Sequence, residues 1–88
     1  MTAAENAALA DIRGYAGANR VRVAPHARLR MIDRNVSPAD LRTALATALR
    51  CRMQTNGRIR VFGVDADGDQ LDPVVILEGD VLVVTLLG

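Results

Sequence analysis

Apolar positions recur along this chain with a period that changes more than once. Between Ala3 and Tyr15, the residues Ala8, Leu9, Ile12 and Tyr15 fall near helical spacing, with Gly14 and Gly17 as stops. The segment is rich in alanine and only marginally apolar, which predicts a helix that frays or stands as an appendage. Residues 20–24 (RVRVA) alternate instead. Val21 and Val23 share one face of a short strand, Arg20 and Arg22 share the other, and Pro25 closes it. Helical spacing then returns twice. One helix is expected from His26 to about Asn35. The next opens at Ser37, with Pro38 in its first turn and Asp40 placed for a capping box. Behind it, Leu41, Ala44, Leu45, Ala48 and Leu49 form one apolar stripe.

The C-terminal half reads as a meander of strands: RIRVFGVD (58–65), LDPVVIL (71–77) and VLVVTLL (81–87). Asp67-Gly68 predicts a two-residue hairpin with positive φ, and Glu78-Gly79-Asp80 turns the chain again. RMQTNG (52–57) reads either as the opening of another strand or as connection before an Asn56-Gly57 turn. The unbroken apolar runs of the last two strands suit central positions, and Pro73 belongs near a strand start or at an unpaired position. The expectation is an α+β fold, with helices packed on one face of a small, about four-stranded antiparallel sheet. It forms a single domain over 1–88, with a helix in 1–17 leading into a core of 20–87.

Composition sharpens this only slightly. With 88 residues and a 50% apolar fraction that is nearly all aliphatic, the chain makes one domain with a modest core. Cys51 is the only cysteine, so no internal disulfide is expected. It has no His or Asp close by in sequence and reads as a structural thiol before a nucleophile. The opening residues lack the basic and apolar regions of a secretory leader, and no apolar run approaches the ~20 residues that span a bilayer. A cytoplasmic domain with no membrane partner is expected.

Charge is uneven. Residues 20–62 hold ten arginines and two aspartates, for +8, whereas 63–88 hold six acids and no base, for −6. Either the two halves attract each other across the fold, or the basic part forms a surface for nucleic acid. No lysine is present. The planar arginine fork suits phosphate, although a GC-rich genome gives the same bias.

The densest chemistry is PHARLRMIDR (25–34), which holds the only histidine. Helical spacing puts His26, Arg30 and Arg34 within about 80 degrees of one another, with Asp33 beside them. Leu29 and Ile32 fall on one flank and Ala27 and Met31 on the other. If Arg28 and Asn35 face solvent, both apolar flanks reach the sheet and the His26 row lies between them. Such a row makes an anion site. Neutral imidazole takes a proton from a ribose 2′-hydroxyl, and guanidinium groups hold the phosphate. The plain alternative is that His26 caps its helix and the arginines pair with acids of the hairpins.

HARLRMIDRNVSPADLRTAL (26–45) resembles the signature of a small bacterial family, domain of unknown function 4258. The matching features are His26, Arg30-Met31, Arg34 and the helix capped at Ser37. GVDADGD before a valine-rich strand and Thr85 in the last strand extend the likeness to about Arg20–Leu86. That family is similar to RelE, ParE and BrnT-type toxins, whose fold is shared with barnase-like nucleases. The resemblance implies a metal-independent ribonuclease or RNA-binding protein, paired with a cognate antitoxin. His26, Arg30 and Arg34 would be its catalytic residues, and Arg20, Arg22, Arg28, Arg60 and Thr85 its substrate contacts. The chain departs from RNA-cleaving relatives in holding no Tyr, Lys, Arg or His in its last two strands. The rival expectation is a non-enzymatic module that binds a protein partner or homodimerises. No cofactor is expected. Nor is a metal: Asp65, Asp67 and Asp69 have the first spacings of a calcium loop, but Gln70 and Ile76 stand where Gly and Glu are needed.

Overall fold

The computed structural model describes residues 1–87. Its elements are α1 (Ala3–Gly17), β1 (Val21–Val23), α2 (Pro25–Asp33), α3 (Pro38–Thr47), β2 (Arg50–Met53), β3 (Ile59–Val64), β4 (Gln70–Leu77) and β5 (Val81–Leu87). The fold is α+β, as the pattern implies. The sheet has five strands where about four were expected, in the order β1-β5-β4-β3-β2. It is also mixed, because β1 runs parallel to β5 while the other pairs are antiparallel.

Local chemistry sets the helix limits. Ser37 and Asp40 form the expected reciprocal capping box, and Thr2 and Glu5 form a second one on α1. Asparagine, not glycine, follows the first two helices. Asn19 and Asn35 adopt left-handed φ values of 59° and 54° just past α1 and α2. Gly14 and Gly17 lie inside α1, which therefore runs two residues beyond Tyr15. Nor is α1 an appendage: Ala8, Leu9, Ile12 and Ala16 are buried in the common core. Asn56 and Gly57, at φ 63° and 73°, turn the chain between β2 and β3.

The β3–β4 hairpin differs from expectation. Asp65 and Asp69 bracket a three-residue loop, Gly68 alone takes positive φ, and Gly68 N donates to Asp65 O at 3.1 Å. The Asp65 carboxylate explains this form. Its Oδ1 accepts from both Asp67 N and Asp69 N, holding the loop wider than a two-residue turn. Pro73 interrupts the β3–β4 ladder as its missing N–H requires. Partners run Ile59–Val75 and Arg60–Val74, then resume at Gly63–Leu71. Val84 is bulged between Val75–Val83 and Val74–Thr85, so the inward side chains of β5 become Val81, Val83 and Leu86.

All three helices send their buried residues into one cluster with Cys51, Ile59, Val61, Leu71, Val75 and the inward side chains of β5. The opposite face of the sheet carries no helical layer. Side chains cover the β2 edge and the part of β5 that extends beyond β1. At β2, the outward N–H groups of Cys51 and Met53 donate to Met1 Sδ and Glu5 Oε2. At β5, the stretch beyond Val83 that β1 does not pair meets arginines of α2 instead.

The two charged halves do attract each other. Arg22 bonds Asp80 and Glu78, and Arg60 bonds Asp72. Arg20 donates to Gly79 O at 2.6 Å, so β1 grips the β4–β5 turn twice.

Two outcomes follow. A Cβ on Gly63 would lie 2.7 Å from Ala44 O of α3, so Gly63→Ala is expected to cost about 2 kcal/mol in urea unfolding. The hydrogen bonds from Arg22 hold the Asp80 carboxyl below its ordinary range. Its contribution to stability is therefore complete above the ordinary carboxylate range and is lost as pH falls through the lowered folded value. Thermal melts below about pH 4 should show wild type losing stability more steeply than Asp80→Asn.

Candidate nucleic-acid interface

Pro25 at the first helical position starts α2, and no side chain caps its N-terminus. His26 follows, exposed, with no hydrogen bond or ion pair among the described residues. Only one apolar flank of the helix reaches the core: Ala27 and Met31 are buried, while Leu29 and Ile32 are 62% and 71% exposed. The picture of a row held between two buried flanks is therefore corrected, and His26 and Arg30 sit at the surface.

Arg30 and Arg34 have partners, though not acids of the hairpins. Arg30 Nη2 donates to Leu86 O at 3.4 Å and Arg34 Nη1 to Leu87 O at 3.2 Å. They cap the part of β5 that lies beyond β1. His26, Arg30 and Arg34 thus form a line along the helix, about 12 Å from first to last Cα at the helical rise, and not a ring around one point.

The expected substrate contacts separate in space. Arg20 lies over the Tyr15 ring at 5.3 Å, besides its bond to Gly79. Arg22 is neutralised by Glu78 and Asp80. Arg28 is exposed and shares a groove with Arg22, Pro25, Pro38 and Leu82. Arg60 and Thr85 lie on the uncovered sheet face, flanking Val74 from either side. Cys51 is buried, donates its thiol to Glu5 O, and has its pKa raised by burial first and by the Glu5 charge second. A raised pKa disfavours the thiolate and so suits a structural role.

The sheet face brings together residues that were not singled out. Strand alternation puts Arg50 and Arg52 of β2 on that face with Arg60 and Phe62 of β3. The extended backbone at Arg58 continues the alternation. The guanidinium groups of Arg50 and Arg60 lie 4.2 Å and 5.0 Å from the Phe62 ring centre. Arg52 stands directly opposite Arg60 across the β2–β3 ladder. Asp72 is the acid paired within this group, and it is fully buried. The signal was present in the sequence as two arginine-alternating runs, RCR and RIR, one on each side of Asn56-Gly57.

This arginine group occupies the β2 edge of the uncovered face. The His26 line lies on a helix of the other layer, beside β5. Two separate surfaces can therefore meet anions: one flat, basic and aromatic, the other a helix carrying an unpaired imidazole.

Their different bonding predicts different responses. Arg30→Ala and Arg34→Ala should each lower stability by about 1 kcal/mol, because each uncaps a strand carbonyl, while His26→Ala should leave the melting temperature unchanged. No helix is long and apolar enough to cross a membrane among the described residues. No family model matches the chain, and no curated protein or solved structure matches it either.

Proposed function

We propose that this protein is an RNA-binding domain of the toxin-like kind, contacting RNA through the uncovered sheet face. The observation that carries the reading is the arginine row Arg50, Arg52, Arg58 and Arg60 along β2 and β3, with Arg50 and Arg60 over Phe62 and one buried acid among them. Arg52 and Arg58 make no ion pair among the described residues, so their charge is available to phosphate. A flat sheet with an aromatic ring and guanidinium planes is a surface on which unpaired bases stack. Arg52 stands opposite Arg60, whose charge Asp72 already offsets, so Arg52 is the guanidinium of that pair left for a phosphate.

Cleavage, in this reading, falls to His26 on the helical layer, and so acts on a part of the strand that lies outside the sheet face. The exposed imidazole takes a proton from a ribose 2′-hydroxyl, and the 2′-oxygen bonds to the adjacent phosphorus to give a cyclic phosphate. The P–O5′ bond breaks, with the 5′-oxygen protonated by water or the imidazolium. Arg30 keeps donors for the phosphate beyond the one given to Leu86. The cytoplasm is the compartment that this reading implies, with Cys51 as a reduced thiol.

A second reading has its own support. Leu29 and Ile32, one turn apart and exposed on α2, suit an apolar partner surface such as a cognate antitoxin or a second copy. It gains if RNA is not bound.

Fluorescence anisotropy with a labelled single-stranded RNA tests the proposal. Wild type should bind with steep salt dependence. The double variant Arg52→Gln/Arg58→Gln should bind about tenfold more weakly, with a log–log salt slope shallower by about 1.4. His26→Ala should bind as wild type does and lose any cleavage. Salt-insensitive or absent binding by the wild type would refute the RNA reading.

A further inference from the structure

One polar atom of the described interior lacks a partner. Asp72 is fully buried, and its Oδ2 accepts from Arg60 Nε and Nη2 and from Gln70 Nε2, yet its Oδ1 accepts from nothing. A buried carboxylate oxygen left unsatisfied costs on the order of 1–3 kcal/mol, so its persistence calls for a reason.

Asp72 lies in the lining of a cleft of about 460 Å³ between the uncovered face and the α3–β2 connection. That volume is within the range that holds a small ligand. Leu49, Phe62 and Val64 give the cleft an apolar wall, and Leu49 and Val64 are 80% and 47% exposed. Arg50 and Gln70 supply its polar groups. A flat heterocycle suits the wall, an anionic group suits Arg50, and N–H donors suit the carboxylate.

We propose that this cleft takes a guanine base of the bound RNA, read by the Asp72 carboxylate; the proposal rests on the RNA reading above. Gln70 is exposed and holds Asp72 by a single 3.1 Å bond, so it is the side chain that moves aside. Its departure leaves Oδ1 unpaired and one bonding position open on Oδ2, while Arg60 keeps the carboxylate in place. Two adjacent acceptors match two adjacent donors. Guanine, with N1–H beside its 2-amino group, is the RNA base whose pairing edge presents two. Adenine and cytosine offer one donor beside an acceptor, and uracil one donor between acceptors.

The test compares two labelled RNAs, a short uridine strand with one central guanosine and the same strand with a central adenosine. The guanosine strand should bind about tenfold more tightly, the discrimination expected of one bidentate contact. Asp72→Asn, which replaces one acceptor by a donor, should erase that preference. Because Asp72 is buried and paired, Val64→Trp serves as a second variant: it fills the cleft from an exposed position and should erase the preference while leaving binding of the uridine strand intact. Equal affinity of the wild type for both strands would overturn the guanine proposal and leave RNA binding standing. If neither strand binds, the RNA reading fails. Titration with guanosine monophosphate against the other three monophosphates, followed by the Gln70 side-chain amide in NMR, then decides the cleft alone. A guanine-specific shift supports it, and no shift or equal shifts overturn it.

Discussion

Arg22 and the turn at Glu78–Asp80 hold β1 against β5 in parallel register, across 58 residues of sequence in the case of Asp80. Much of the architecture follows from that pairing. It places β5 between β1 and β4 and so in the interior of the sheet. It also sets the start of α2, since Ala24 N donates to Val83 O immediately before Pro25 begins the helix. From that start, Arg30 and Arg34 reach the carbonyls of β5 that the three-residue β1 leaves uncovered. Two of the four side chains of this helix and its cap with anion-binding chemistry are thereby engaged in closing the sheet, and His26 and Arg28 are left exposed.

The sheet is finished at its β2 edge and bare on one face. Met1 and Glu5 occupy the outer N–H groups of β2, and arginines of α2 cover the part of β5 that β1 leaves open. The bare face is different in kind. It is apolar along the middle and positive at the β2 edge, where Asp72 neutralises Arg60 but no acid among the described residues pairs with Arg52 or Arg58; at the β1 edge Glu78 and Asp80 neutralise Arg22. Internal neutralisation thus converts a charge asymmetry along the sequence into a local one in space. This is why a chain with net charge of only +1 still presents a basic surface.

What could be read from the sequence was local. The Ser37–Asp40 capping box, the Asn56-Gly57 turn and the constraint at Pro73 depend on residues within a few positions of one another. What could not be read depended on partners far away. RVRVA looks the same whether it pairs parallel or antiparallel, and only the acids near residue 80 decide it. The side on which α2 rests was hidden because Leu29 and Ile32 are as apolar as Ala27 and Met31, and the smaller pair is the one that fits against β5. Among candidate site residues, the lone histidine drew attention toward α2. The alternation of Arg50, Arg52, Arg58 and Arg60 became visible as a group only when the register set β2 beside β3.

The interior position of β5 also bears on the order in which the molecule comes into being. Ribosomal synthesis runs from β1 toward β5, so β1, the helices and β2 to β4 all emerge before the strand that joins β1 to the rest. Until residues 80–87 leave the exit tunnel, Arg22 has no Asp80 and the inward valines of β1 lack their β5 partners. The nascent chain can form its capped helices and its β2–β3–β4 ribbon, but closure of the whole waits for the final strand, making folding a late and cooperative event rather than one that accumulates piece by piece.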